Sequence, residues 1–391
     1  MLAPKLRFKE FNDEWNYNLF NEIFEFIQNN SFSRDMLNYS ENSKIYNIHY
    51  GDILTKYGEI IDFNLISNIV PKINNDISLS KFEDKSYLKN GDIIIADTAE
   101  DLTVGKSCEV VNLHCKALAG LHTIPCRPKF KFTSQYLGTY INSTSYHSQL
   151  IPYITGIKVS SISKNNIIKT KIYFPTIKEQ EKISKLFSLL NKKIELQQRK
   201  IEVLKMYKRG LMCYMFNSIS EYSTNKLKDI CTIEKGQQLN HENMLNFGKY
   251  YVLNGGSTLS GYTNSYNTLE NTISISEGGN SCGYVNYNIQ KFWAGGHCYT
   301  LKKISQHIDD KYLFQVLKFN QGKIMKLRVG SGLPNIQKKS LENFELKIHN
   351  QYNQHIISKL FSNFDKKLEY ETCIFTELTL FKKSLLQQMF I

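Results

Sequence analysis

Ile183-Ser-Lys-Leu-Phe-Ser188 returns unchanged as Ile357-Ser-Lys-Leu-Phe-Ser362, 174 residues further along the chain. The same shift carries Lys192-Lys193 onto Lys366-Lys367, Glu195 onto Glu369, Leu204 onto Leu378 and Met215-Phe216 onto Met389-Phe390. Upstream it carries Gly156 onto Gly330, Ile162 and Lys164 onto Ile336 and Lys338, and Gln180 onto Gln354. One ungapped shift that fits so many positions marks an internal duplication, and repeats of this length define architecture.

Both copies are periodic. Ile183, Leu190, Leu204 and Leu211 lie on one seven-residue lattice, and Phe187, Ile194, Ile201 and Met215 on another offset by four. The second copy repeats this with Ile357, Phe364, Leu378 and Leu385, and with Phe361, Leu368, Phe375 and Met389. Two such lattices form the a and d seam of a coiled coil. The seam turns polar at matching places, Gln197 with Glu371 and Lys208 with Lys382. Such residues either fix register or are stems reaching out from a solvated edge. Each segment is about 40 residues, roughly 60 Å of helix at about 1.5 Å per residue. Neither can bury its stripe alone, so the two are expected to pack on each other. A two-fold relation between copies makes them antiparallel.

The segments before each helix differ in kind. Short β-like runs, Asp92–Ala96, Ile168–Phe174, Thr272–Ser276 and Phe344–Ile348, alternate with Asn-Gly and Gly-Gly turns. The expected fold class is α+β: two sheet-containing α/β globules joined by two long helices in an antiparallel coiled coil, with a pseudo-two-fold internal repeat. The expected segments are 1–158, 176–216, 225–345 and 350–391. The globules correspond only weakly, as where Ala119-Gly-Leu-His122 aligns with Ala294-Gly-Gly-His297. A strict frame with two loose globules is a design that holds its spacing while two surfaces vary.

The net charge of +13 over 391 residues calls for a polyanion, nucleic acid before an acidic protein or a membrane surface. No apolar run nears the ~20 residues of a membrane span. The first fifteen residues are charged where a signal peptide would be apolar. Cys108, Cys115, Cys126, Cys213, Cys231, Cys282, Cys298 and Cys373 form no Cys-x-x-Cys pair, which argues for reduced thiols and against zinc. The expected location is cytoplasmic.

No catalytic signature emerges. None of the seven prolines lies in an Asn/Asp-Pro-Pro-Tyr/Phe loop, and Gly248-Lys249 lacks the earlier glycine and following hydroxyl of a phosphate-binding loop. Glu234-Lys235 lacks the acidic spacing of a nuclease. His122 and His297 occupy the same place in each half without an adjacent acid or cysteine cluster. They read as turn-orienting histidines, or, if functional, as phosphate contacts. No catalytic or metal residue is assigned.

Base reading needs planar or forked polar groups, and phosphate contact needs cations, hydroxyls and backbone amides. In the second globule these point to Asn254, Gly255, Gly256, Ser257, Ser260 and Tyr262, and to Glu277, Gly279 and Asn280. The competing reading is of hairpin turns that touch nothing. In the first globule the analogous candidates are Lys72, Asn74, Asn75, Thr98 and Lys106. Lys158, Ser160, Ser161 and Lys164, with Ser331, Lys338 and Lys339, sit where each globule joins its helix and suit phosphates. The first helix carries ten Lys/Arg against four Glu between Thr176 and Phe216, which fits a solvated face, a DNA-facing stripe or a dock for an acidic protein.

The globule–helix–globule–helix layout resembles the specificity subunits of type I restriction–modification systems. Pro4-Lys-Leu-Arg-Phe-x-x-Phe11 with Trp15 is similar to that family's start. Gly330-Ser-Gly-Leu-Pro-Asn-Ile336-x-Lys338 resembles the close of a target-recognition domain. Tyr173-Phe-Pro175 followed by Glu179-Gln180 resembles the approach to a conserved helix, and Asn254-Gly-Gly-Ser257 with Ser260-Gly-Tyr262 a recurring recognition pattern. Two places depart from the pattern: His349 stands where the first copy has Pro175, and Gly156-Ile-Lys-Val-Ser-Ser-Ile162 lacks the Gly-Leu-Pro of the second copy.

The resemblance implies a non-catalytic subunit that reads one half of an asymmetric, interrupted double-stranded DNA target with each domain. It implies docking of two methyltransferase subunits on the helices, with restriction/motor subunits completing the complex. S-adenosylmethionine, ATP and Mg2+ would belong to those partners and no cofactor to this chain. The alternatives are a divergent self-contained DNA methyltransferase or nuclease, and a basic coiled-coil scaffold.

Overall fold

The structure is a computed structural model that describes residues 3–40, 42–156, 158–330 and 332–391, with only the backbone of residue 241. The chain divides into two compact units. The first is Met1–Gln197 with Ile374–Ile391, and the second is Gln198–Cys373. Two long helices, Ile177–Ser218 and Gln351–Gln388, each contribute to both.

In the first unit, strands Phe24–Phe26, Thr123–Pro128, Ile93–Ala96, Ser107–Val111 and Ile60–Asp62 form a sheet in that spatial order. The all-apolar run Ile93-Ile-Ile-Ala96 sits centrally and is wholly buried, as an apolar strand covered on both faces should be. A smaller sheet pairs Tyr46–Ile48 in parallel with Ala117–Ala119. Strand Asn16–Leu19 pairs antiparallel with Lys171–Phe174, which leads into the first helix.

The second unit repeats this plan. Strands Thr232–Lys235, Cys298–Lys302, Thr272–Ser276 and Val285–Asn288 reproduce the spatial order of the first four strands above. Tyr250–Leu253 pairs in parallel with Trp293–Ala294. Tyr222–Lys226 pairs antiparallel with Glu345–His349, which leads into the second helix. The globules, loosely matched in sequence, thus share the order of four core strands, while the first carries an additional edge strand, Ile60–Asp62, and a larger second sheet.

Within each unit the helices run antiparallel. In the second unit Lys200 meets Glu371, Tyr207 meets Phe364 and Phe216 stacks near Phe361, so one number rises as the other falls. The seam positions Ile183, Phe187, Leu190, Ile201, Ile357, Phe361 and Leu385 are buried, and Ile194, Leu204, Leu211, Phe364, Leu368, Phe375 and Leu378 half-buried. Met212 and Phe216 are also buried, off the lattice, because the globule of the second unit covers that end of the helix.

The polar seam positions are paired. Lys200 Nζ lies 2.7 Å from the buried carboxylate of Glu371, and Lys208 Nζ 2.5 Å from Asp365. Lys382, the counterpart of Lys208, reaches the globule instead, 2.6 Å from Glu59. The matched lysines therefore have different partners, and only Lys208 ties helix to helix.

The joints between helix and globule are equivalent. Gln180 accepts from Thr133 N–H at 3.0 Å and donates to the Pro175 carbonyl at 3.0 Å. Gln354 accepts from Asp309 N–H at 3.0 Å and donates to the His349 carbonyl at 2.8 Å. The exchange of proline for histidine leaves this joint intact because the glutamine uses only the carbonyl. His349 adds bonds of its own to the Tyr312 hydroxyl, through its N–H at 3.0 Å and Nδ1 at 2.7 Å. The opening segment also finds its reason: Arg7 donates two 2.8 Å bonds to the buried Glu179 carboxylate, and Trp15 sets its edge against Phe390.

Candidate nucleic-acid interface

In the second unit the strand Tyr250–Leu253 ends at Asn254, and Gly255 turns the chain at φ +86. A side chain is excluded at Gly255 twice, by its φ and because a Cβ would lie 2.9 Å from His297 Cβ. The Asn254 side-chain oxygen accepts from His297 N–H at 3.3 Å, and its own N–H donates to Ser260 at 3.3 Å. This leaves Ser257 and Ser260 exposed on the hairpin tip, while Tyr262 lies in the returning strand, half-buried. Gly256 is half-buried and Asn280 exposed beside Gly279, which has φ +76.

Glu277 departs from the expectation of a DNA-reading side chain. It is buried, and its carboxylate takes Lys235 Nζ at 2.7 Å and the Tyr299 hydroxyl at 3.0 Å, with His297 Nδ1 at 3.5 Å. It organises the residues around it rather than facing outward. Exposed Lys338 and Lys339 open a short helix after this edge, and Lys338 stands 3.6 Å from Glu342. Ser331 lies outside the described residues.

In the first unit Thr98 pairs with Ser161 and Ala99 with Ser160, which brings three candidates to one edge beside Asp97 and His122. Lys158 and Lys164 are exposed nearby in sequence, and Lys164 lies 5.4 Å over the Phe26 ring. Lys72, Asn74 and Asn75 gather elsewhere. Lys72 Nζ donates to the Ser40 carbonyl at 3.3 Å, Asn74 bonds Asn38 and the Asp35 carbonyl, and Asn75 donates to the Asn42 carbonyl at 3.4 Å. These side chains knit two loops together. Lys106 is a second departure: its ammonium is half-buried on the Leu54 carbonyl at 2.9 Å, and burial lowers its pKa. Its charge serves the fold.

Several residues escaped the sequence reading. Arg34 makes a two-pronged pair with Asp52 at 2.7 and 3.1 Å, and Lys56 adds a third contact at 2.9 Å. Burial works to raise the Asp52 pKa, but these cations outweigh it and hold it below the usual range. His49 caps the helix Tyr50–Thr55 by accepting from Gly51 N–H. Burial, then the Arg34 charge, push His49 down to about 4. Tyr50 stands edge-on to His122 at 5.2 Å. The matched histidines gave a signal in sequence, and Lys235 was met only within Glu234-Lys235 as a rejected nuclease pair. Arg34 and Lys56 gave none, since scattered cations in a basic chain look alike.

The edge offers cations, amides, hydroxyls and glycine-opened backbone, the donor set that a duplex uses for phosphate and base contacts. Among the described residues no group of three or more His, Cys, Asp or Glu could hold a metal ion. No helix among them is long and apolar enough to cross a membrane.

The profile of the type I restriction modification DNA specificity domain matches residues 12–206 and again residues 219–380. The chain belongs to this family. A Mycoplasma genitalium protein assigned as a type I specificity subunit is 34% identical over 155 residues, 39% of this chain and 40% of that protein. A Mycoplasma pneumoniae relative of the same assignment is 33% identical over 156 residues, 39% of this chain and 41% of it. The matched stretch thus spans about two fifths of each relative. A Methanocaldococcus jannaschii specificity-subunit relative is 23% identical and covers 71% of this chain and 72% of its own.

The specificity-domain fold is matched along its whole length by the crystal structure of the S subunit from M. genitalium. That structure has TM-score 0.65 and 16% identity, and covers 100% of this chain and 99% of the other. A chain from a type I restriction–modification assembly matches with TM-score 0.56 and 14% identity over 95% and 96% of the two chains. The two profile matches each take in one globule and most of the helix that follows it, as a duplicated specificity domain requires.

Proposed function

We propose that this chain reads an asymmetric, two-part double-stranded DNA target, one half with each globule, and carries no catalytic centre of its own. The observation that carries this reading is that the two globules share a core strand order and present equivalent edges, at His122 and at His297, with different side chains around them. One edge carries Thr98, Ser160, Ser161 and Tyr50, and the other Asn254, Ser257, Ser260 and Lys235. A bipartite ligand with unlike halves asks for that combination.

The helices would dock two methyltransferase subunits and, through them, the restriction/motor subunits. Exposed apolar residues support this dock. Val203, Met206, Tyr207 and Tyr214 follow one another at helical spacing in the second unit, and Leu380 and Phe381 are exposed in the first. Their neighbours on the seam face are already covered. S-adenosylmethionine, ATP and Mg2+ would be bound by the partners, and the complex would work in the cytoplasm.

The test is binding of the chain with its cognate methyltransferase to duplexes enriched from a random library. The reading expects two conserved blocks with an indifferent spacer, and a steep fall of log affinity with log salt. Selection of no sequence, with shallow salt dependence, would return the chain to the scaffold reading. Methyl transfer or cleavage by the chain alone would make it an enzyme.

A further inference from the structure

His122 and His297 stand in one backbone frame built twice. In the first unit Asp97 N–H donates to the His122 carbonyl at 3.1 Å, and Ile162 N–H to the Asp97 carbonyl at 2.9 Å. In the second, Glu277 N–H donates to the His297 carbonyl at 2.9 Å, and Ile336 N–H to the Glu277 carbonyl at 2.8 Å. The loop after each acid closes alike, Gly105 N–H on Ala96 at 2.9 Å and Gly283 N–H on Ser276 at 2.8 Å. The closing hairpins match too, with Thr155 bridged to Ser161 and Val329 to Asn335.

Inside this frame each imidazole meets a carboxylate. His122 Nδ1 is 3.4 Å from Asp97 and His297 Nδ1 3.5 Å from Glu277. Both rings are exposed, at 48% and 60% of the side chain. Among the described residues neither Nε2 has a partner. Each acid is held by a further donor, Thr98 at 2.8 Å in one unit and Lys235 at 2.7 Å in the other.

What surrounds the pair differs between units, Tyr50 and Thr98 against Gly255 and Gly278, while the pair itself is retained. Two domains that read different bases share only what every duplex offers, the phosphodiester backbone. We infer that His122 and His297 each donate Nε2–H to a DNA phosphate at equivalent places in the two half-sites, with Asp97 and Glu277 as positioning residues. This rests on the DNA-recognition reading above. A carboxylate can only accept, so Nδ1 must carry a proton to meet it; Nε2 must carry another to meet a phosphate. The bound ring is therefore imidazolium, and DNA binding favours its protonated form. The titratable groups facing His122 are Asp97 and His49, and His49 in turn faces Arg34 and Asp52; His297 faces Glu277, which is paired with Lys235.

The experiment measures affinity of the chain with its cognate methyltransferase for target and for scrambled duplex, by fluorescence anisotropy across pH and salt. His122→Ala and His297→Ala are each expected to weaken both duplexes by the same factor, about tenfold for a charged hydrogen bond. The salt slope should fall by about one per histidine. Wild-type affinity should decline as pH rises, and the double variant should lose that decline. Asp97→Asn and Glu277→Gln should flatten the pH profile. Glu277→Gln also loses the charge that pairs with Lys235 and should melt lower, so its binding is read at a temperature where circular dichroism shows it folded. Conservative His122→Gln and His297→Gln variants, which keep a donor, check that loss of binding is not loss of fold. Unchanged affinity, or loss confined to the target duplex, would overturn the phosphate contact. Failure of the wild type to prefer its target would instead sink the recognition reading, and is scored separately.

Discussion

Phe187 of the first helix stacks on Phe390 of the second with ring centroids 5.7 Å apart. Their counterparts 174 residues away, Phe361 and Phe216, form the mirror contact at 6.4 Å with the helices exchanging roles. Each unit thus packs the same pair of duplicated positions against each other, with the first and second helices exchanging roles.

Because each stack is buried in its own unit, Phe187→Ala and Phe361→Ala should each cost about 3–5 kcal/mol. Chemical denaturation followed by circular dichroism checks this. A cost below 1 kcal/mol at either position would mean that the seam end is not tightly packed.

Leu204→Asp and Leu378→Asp place a charge on the half-buried seam and should destabilise the helix pair by several kcal/mol. Melting temperature and helical content report it. Melting like the wild type would show that these positions are wet.

Arg7→Ala should be far costlier than Lys338→Ala. The first leaves the Glu179 carboxylate, 1% exposed, without its cation, about 3–5 kcal/mol; the second frees a surface pair worth less than about 1 kcal/mol. Equal costs would contradict the role given to the opening segment.

Two buried groups give opposing pH dependences in the first unit. His49 is lowered from 6.5 to about 4, so the fold disfavours its protonated form. Stability is intact above 6.5 and is lost as pH falls towards 4. His49→Asn, which retains a cap, should remove that loss, at most roughly 3 kcal/mol. Glu109, capped by Gln135 and Gly138 N–H, is raised by burial from 4.5 to about 7. Its contribution is present below 4.5 and lost as pH rises through 7. Glu109→Gln should therefore gain on the wild type between pH 5 and 8. Parallel pH profiles for variant and wild type would contradict either assignment.

The helices were legible because their duplication is ungapped and their apolar spacing is dictated by packing. The duplicated globules were not, because corresponding strands are offset unevenly. Thr123–Pro128 and Cys298–Lys302 keep the shift of the histidines, whereas Tyr46–Ile48 and Tyr250–Leu253 are separated by a longer insertion. The histidines stood out in sequence, but their acids, Asp97 and Glu277, differ in type and offset, and backbone bonds alone make them equivalent. Likewise the motifs around Arg7 and Glu179 were both visible, but their pairing across 172 residues was not.

The most direct test maps methylated adenines across the genome of cells that express this chain with its cognate methyltransferase, beside cells with the methyltransferase alone. A second strain carries residues 225–345 replaced by those of a relative. The account predicts a two-part motif that requires this chain, and one altered half with the other unchanged after the exchange. The absence of a two-part motif, with the methyltransferase active and bound to the chain, would contradict it.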